Sequence, residues 1–107
     1  MTITEFLMEQ LDRDEERASS GWSRMGDGRW EYTNEGLAVM TPRAVLADVA
    51  AKRAIVELHR PNAEGDLCTM CTETGPDAQG WPCDTVRLLA LPYAEHPDFD
   101  PSWTPTN

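Results

Sequence analysis

All three cysteines of this 107-residue chain fall in one stretch, two of them as the C-x-x-C pair Cys68 and Cys71 and the third as Cys83 in a Trp-Pro-Cys run. His59 stands just ahead of them. Thiolate sulfur and imidazole nitrogen are the donors of closed tetrahedral zinc sites, and three thiolates with one imidazole is a common structural set. Two sulfurs in one tight knuckle can reach the same ion, while the remaining pair arrives from distant segments. The pattern H-x8-C-x2-C-x11-C is therefore read as a structural Zn2+ site built from His59, Cys68, Cys71 and Cys83. His96 competes for the fourth position through C-x2-C-x11-C-x12-H. Pro61, which stops a helix just after His59, favours the earlier histidine. The bland alternative is three unpaired thiols and a surface histidine. An iron–sulfur cluster normally asks for a fourth cysteine, which this chain lacks.

Catalysis has little support in the same residues. A catalytic zinc keeps one position open for water, with a general base beside it, whereas four protein ligands close the site. There is no glycine-rich phosphate loop and no H-E-x-x-H. A Cys83–His96 nucleophile pair would split the metal set. The chain is not expected to be an enzyme.

The elements that must carry these ligands can be placed from period and punctuation. Thr2 and Glu5 have capping-box spacing, and Ile3, Phe6, Leu7 and Leu11 recur at helical intervals, predicting a helix over 3–18. Its acidic run Asp12, Asp14, Glu15 and Glu16 reads as a solvated face. Residues 22–40 change to alternation, with turns at Asp27-Gly28 and Asn34-Glu35-Gly36, predicting an antiparallel meander over 22–25, 29–33 and 37–40. Trp30 and Tyr32 share a face of it, read as core rather than as an aromatic platform for a ligand in the absence of an adjoining basic patch. Thr41-Pro42 opens the strongest helix, 41–60, with Thr as cap and Pro in the first turn. Leu46, Val49, Ile55 or Val56, and Leu58 or His59 return to one side. Segment 61–80 is polar loop that the metal is expected to order. Pro82-Cys83-Asp84 starts a short helix, 83–91, where the helix dipole favours a thiolate. A knuckle followed by a ligand at a helix start is a treble-clef-like arrangement. The tail, about 93–107, has no period, and its aromatics are expected to dock on the body as an extended strap.

The fold class is therefore α+β: two longer helices, a small meander and a short C-terminal helix joined by a Cys3His zinc knuckle, in one domain spanning 1–107. Leu, Ile, Val and Phe make up only 18 residues, and the formal net charge is −10. That composition sits near the disordered side of the globular boundary. A structural zinc, worth on the order of 10 kcal/mol, would rival the stability of a whole domain. An odd cysteine count without a leader peptide or a spanning apolar run points to a cytoplasmic metalloprotein with no membrane role. The acidic envelope disfavours nucleic acid. Only 41–60 carries a positive balance, with Lys52, Arg53 and Arg60 as its basic cluster.

The runs Ala51–His59, Cys68-x-x-Cys71 and Trp81–Asp98, the last containing W-P-C-D-T-V-R-L-L-A-L-P-Y, resemble a family of small uncharacterised acidic proteins of actinobacteria and their phages. The resemblance covers most of the chain, implies such an origin, and brings no activity with it. The functional expectation is a non-enzymatic, zinc-stabilised binding module that engages another protein. The alternative is a nucleic-acid-directed regulator, either binding DNA through the basic side of helix 41–60 or mimicking DNA charge.

Overall fold

The computed structural model describes residues 1–32, 40–65, 67–70 and 81–105. Its element order is α1 (Ile3–Ser19), β1 (Trp22–Arg24), β2 (Trp30–Tyr32), α2 (Pro42–Leu58) and α3 (Asp84–Ala90), with 3-10 turns at Leu91–Tyr93 and Pro101–Trp103. This is an α+β architecture. It divides into two compact units, Met8–Arg53, and Met1–Leu7 together with Ala54–Asn107.

In the first unit, α1 contributes Leu11 and Ala18, and α2 contributes Val45 and Val49, to one buried cluster; Met8, Trp30 and Met40 pack against it. Thr41 caps α2 as expected, its Oγ1 accepting from the Ala44 N–H at 3.2 Å. The apolar phase of α2 keeps the expected Val49 and Val56 but takes Val45 in place of Leu46. Val45, Val49 and Val56 are buried, whereas Leu46 and Leu58 are exposed. A phase through Leu46 would turn Arg53 and Arg60 inward. The observed phase meets only Lys52, whose stem can lie along apolar surface while its amine reaches Asp48 at 2.8 Å.

The β1–β2 hairpin pairs Trp22 with Tyr32 and Arg24 with Trp30. Its turn closes through Gly28 N–H to Met25 O (3.0 Å), with Gly28 at φ +87, the left-handed conformation that ends a three-residue hairpin loop. The third expected strand, 37–40, lies outside the described residues except for Met40. Met40 bridges Arg24, so it joins the far edge of β1 rather than following β2 as a simple meander would. Both backbone groups of Arg24 are satisfied by Met40, at 3.2 and 3.0 Å, which leaves Arg24 and Trp30 as a non-hydrogen-bonded pair with close side chains.

The acidic face of α1 is not simply solvated. Asp14 lies on the buried stripe with Leu7, Gln10, Leu11 and Ala18, and it pairs with the largely buried Arg24. Asp12 and Glu15 hold Arg53, each at 2.5 Å. A buried carboxylate at this position persists because a guanidinium from β1 meets it.

In the second unit, Phe6 is fully buried and makes ring contacts with Tyr93, His96, Phe99 and Trp103 at centroid distances of 5.1–6.3 Å. The C-terminal aromatics thus gather on one ring from the first turns of α1. They do so through short turns: Asp100 caps the second by accepting from Ser102 N–H at 2.9 Å.

Candidate metal centre

Three segments of the second unit deliver the cluster. Val56 marks the buried side of α2, and His59, one turn later, falls on that side just past the last helical residue. Its N–H still donates to Ile55 O at 3.0 Å, so the helix itself orients the imidazole.

Cys68 arrives on a knuckle that the chain ties by its own hydrogen bonds. Pro61 and Cys68 bridge antiparallel. Asn62 N–H donates to Leu67 O at 2.7 Å, and Gly65 N–H to Asn62 O at 2.9 Å. Asn62 Oδ1 accepts from Leu67 N–H at 3.3 Å, and Gly65 takes φ +78. A backbone turn from Asn62 to a left-handed Gly65, tied across by the Asn62 side chain, thus doubles the chain back. Contrary to what polar composition suggests, the described part of 61–80 carries a local hydrogen-bond network of its own, independent of any metal. Thr69 fastens the knuckle to the helix end, its N–H donating to Arg60 O (2.8 Å) and its hydroxyl to Leu58 O (3.3 Å). Those carbonyls have no partner within the helix.

Cys83 is the N-cap of α3 in extended conformation (φ −74, ψ 166) and makes no side-chain capping bond. Arg87, one turn on, anchors this arm: its Nε donates to Pro82 O at 2.9 Å and its Nη1 to Ser102 O at 3.0 Å.

The outcome is a buried three-donor cluster. His59 Nδ1 lies 3.5 Å from Cys68 Sγ and 3.5 Å from Cys83 Sγ. Both cysteines are fully buried, His59 is half-buried, and the donor atoms all lie within 4.8 Å of one another. Zn–S near 2.3 Å and Zn–N near 2.0–2.1 Å at tetrahedral angles imply an N···S edge of about 3.5 Å. Both observed N···S distances equal that edge, so the donor set could hold a metal ion with Nδ1 as the nitrogen ligand.

The predicted site residues thus divide. His59, Cys68 and Cys83 converge; Cys71 lies outside the described residues. His96 is placed elsewhere, its ring 5.6 Å from that of Phe6 and its Nδ1 accepting from Asp98 N–H at 3.1 Å. A Cys83–His96 pair finds no support, since the imidazole beside Cys83 is that of His59. Sequence reasoning missed Thr69 and Arg87 as supports. Their signals were a threonine inside the C-x-x-C and an arginine one helical turn after the third cysteine.

Fold and donors together define an α+β protein with a buried His/Cys/Cys cluster suited to a metal ion. The chain belongs to a family of unknown function (DUF6221), whose family model matches residues 1–105. No curated protein and no solved structure matches it. Among the described residues, no helix is long and apolar enough to cross a membrane.

Proposed function

We propose that this protein is a small, non-enzymatic binding module held by a structural zinc, with His59, Cys68, Cys71 and Cys83 as ligands, and that it acts as an actinobacterial or actinophage accessory protein engaging another protein. The observation that carries the reading is His59 Nδ1 standing 3.5 Å from two buried sulfurs, the edge length of a tetrahedral zinc site. Cys71 completes the shell because a C-x-x-C knuckle supplies both its sulfurs to one ion. Complete burial of Cys68 and Cys83 supports a structural role, since a nucleophilic thiolate must be reachable by substrate.

A protein partner is supported by the apolar side chains that the metal-bearing unit leaves in solvent. Leu58, Met70 and Leu88 are each more than half exposed. Leu58 adjoins one ligand, and Met70 lies inside the C-x-x-C. The basic cluster of helix 41–60 gives the DNA-binding alternative less support, since Lys52 pairs with Asp48 and Arg53 with Asp12 and Glu15, and only Arg60, in an exposed pair with Glu57, is weakly held.

Elemental analysis of reduced, freshly purified full-length protein tests the metal, with one zinc per chain expected. The absorption spectrum of the Co2+-substituted protein should report three thiolates. Two thiolates would remove Cys71 from the set, and metal-free protein would end the reading. Capture from an actinobacterial lysate, compared between wild type and the Met70→Glu/Leu88→Glu variant, tests the partner surface.

A further inference from the structure

The hairpin unit contains a second feature that the metal does not explain. Strand alternation puts Trp22, Arg24, Trp30 and Tyr32 on one face of β1–β2. Alongside this hairpin runs an open cleft of about 670 Å³ lined by Arg17, Trp22, Gly28, Arg29 and Trp30. A smaller lobe of about 330 Å³ shares Arg17 and Trp22 and adds Arg13, Glu16 and Ser20. The larger volume is in the range of small-molecule sites. In a protein of net charge −10, three arginines converging on tryptophan-lined space are not accounted for by composition.

The arginines differ in what already holds them. Arg17 lies over the Trp30 ring at 5.6 Å, and among the described residues it makes no ion pair. Arg13 pairs with Glu9 at 2.8 Å and Arg29 with Asp27 at 2.5 Å, both at exposed positions. Exposed pairs of this kind hold their partners weakly, so both guanidinium groups can turn to a stronger anion. Among the described residues, Glu16 lines the smaller lobe, whereas Asp27 pairs with Arg29 without lining the larger cleft, so an anion on the Arg17–Arg29 side meets no lining carboxylate but must compete with Asp27 for Arg29. The rings differ too. Trp30 already has guanidinium groups of Arg17 and Arg24 stacked near it, and it packs on the core. Trp22 is 40% exposed, braced edge-on by Tyr32 at 5.9 Å, and has surface to offer.

We propose that this cleft binds a small ligand carrying a planar aromatic ring and a phosphate, of the nucleoside monophosphate class, with the ring against Trp22 and the phosphate on Arg17 and Arg29. Guanidinium forks match phosphate oxygens in bidentate geometry, and an exposed indole accepts a base by stacking without reading its identity. Trp30 positions Arg17 for the phosphate by holding its guanidinium through cation–π contact.

The test is calorimetric titration of the full-length, metal-replete chain with AMP, GMP, CMP and UMP, alongside adenosine and inorganic phosphate. At least one nucleotide should bind with one-to-one stoichiometry, and at least about tenfold more tightly than adenosine or phosphate. Arg17→Ala and Trp22→Ala should each weaken binding by about tenfold or more, and Arg53→Ala should not. Arg17→Gln, which keeps a polar side chain without the guanidinium, serves should Arg17→Ala fail to fold, and it should weaken binding to a similar degree. No binding of any nucleotide at millimolar concentration would overturn the proposal, as would phosphate binding as tightly as nucleotide or Arg17 and Trp22 variants that bind like wild type. Affinity for single-stranded oligonucleotides far above that for mononucleotides, rising with length, would also overturn it by assigning the cleft to a polymer.

Discussion

Replacing each histidine in turn separates a ligand from a packing residue. His59→Ala removes the nitrogen that faces both Cys68 and Cys83 at 3.5 Å. Structural zinc contributes on the order of 10 kcal/mol to folding, so an equal share among four ligands is about 2.5 kcal/mol each. A domain of this size loses ~4–8 °C of Tm per kcal/mol, so His59→Ala should lower Tm by about 10–20 °C. His96→Ala removes an edge-on contact with Phe6 and the hydrogen bond that its Nδ1 accepts from Asp98 N–H. Together these are worth ~2 kcal/mol, or about 8–16 °C. The chelator response distinguishes the two more sharply than the melting temperatures alone. Wild type and His96→Ala should carry one zinc and melt much lower once it is stripped. His59→Ala should carry little zinc and change little on chelation. Differential scanning calorimetry with and without chelator, paired with elemental analysis, reads all of this. If His59→Ala keeps its zinc and responds to chelator like wild type, His59 is not a ligand and the three-donor geometry is not a metal site.

Chelation of the wild-type protein should raise amide exchange across His59–Met70 and Trp81–Leu91 more than across α1, because those segments supply the donors; uniform exchange would place the ion elsewhere. Asp14→Ala strands the largely buried guanidinium of Arg24, and breaking a buried pair from one side costs about 3–5 kcal/mol. Urea unfolding should show that loss, and the double variant Asp14→Ala/Arg24→Met should recover much of it. The Asp100 carboxyl is held below its ordinary value by the Ser102 backbone N–H and then by the Ser102 side chain. A carboxyl depressed in the folded state adds stability above its unfolded pKa and loses it as pH falls through the folded value. An NMR titration should therefore find Asp100 protonating at lower pH than an unstructured aspartate, with the Pro101–Trp103 turn loosening only on the acid side of that range.

Local rules made much of the framework legible. The capping box of Thr2 and Glu5 is formed, with reciprocal bonds of 3.1 Å, and α1 runs Ile3–Ser19 where period placed it. Thr41-Pro42 opens α2, and the start of α3 follows directly on Cys83. Each of these depends on neighbours within about one helical turn, so no distant residue had to be known. That His59 rather than His96 would lie beside the cysteines was also partly visible. A helix stopped by proline aims its last side chains, whereas nothing local told that the His96 ring would be taken up by Phe6.

What the sequence by itself determined is therefore the helices, their caps, the hairpin turn at Asp27-Gly28, and the candidate donor residues, because period, punctuation and ligand chemistry act over short spans. The tertiary structure decided everything that depends on which surfaces meet. It selected the Val45 phase of α2 over that of Leu46, buried Asp14 against Arg24, and sent Met40 to β1. It closed a knuckle around Asn62 and Gly65 from residues that looked like unstructured loop. It also brought Arg13 and Arg17 of α1 to Trp22 and Trp30, adding them to Arg29, the sequence neighbour of Trp30, as a basic surround for those rings. The physical reason is common to all of them. A charge or ring is stabilised by partners a few ångströms away in space, and sequence separation says little about which partners those will be.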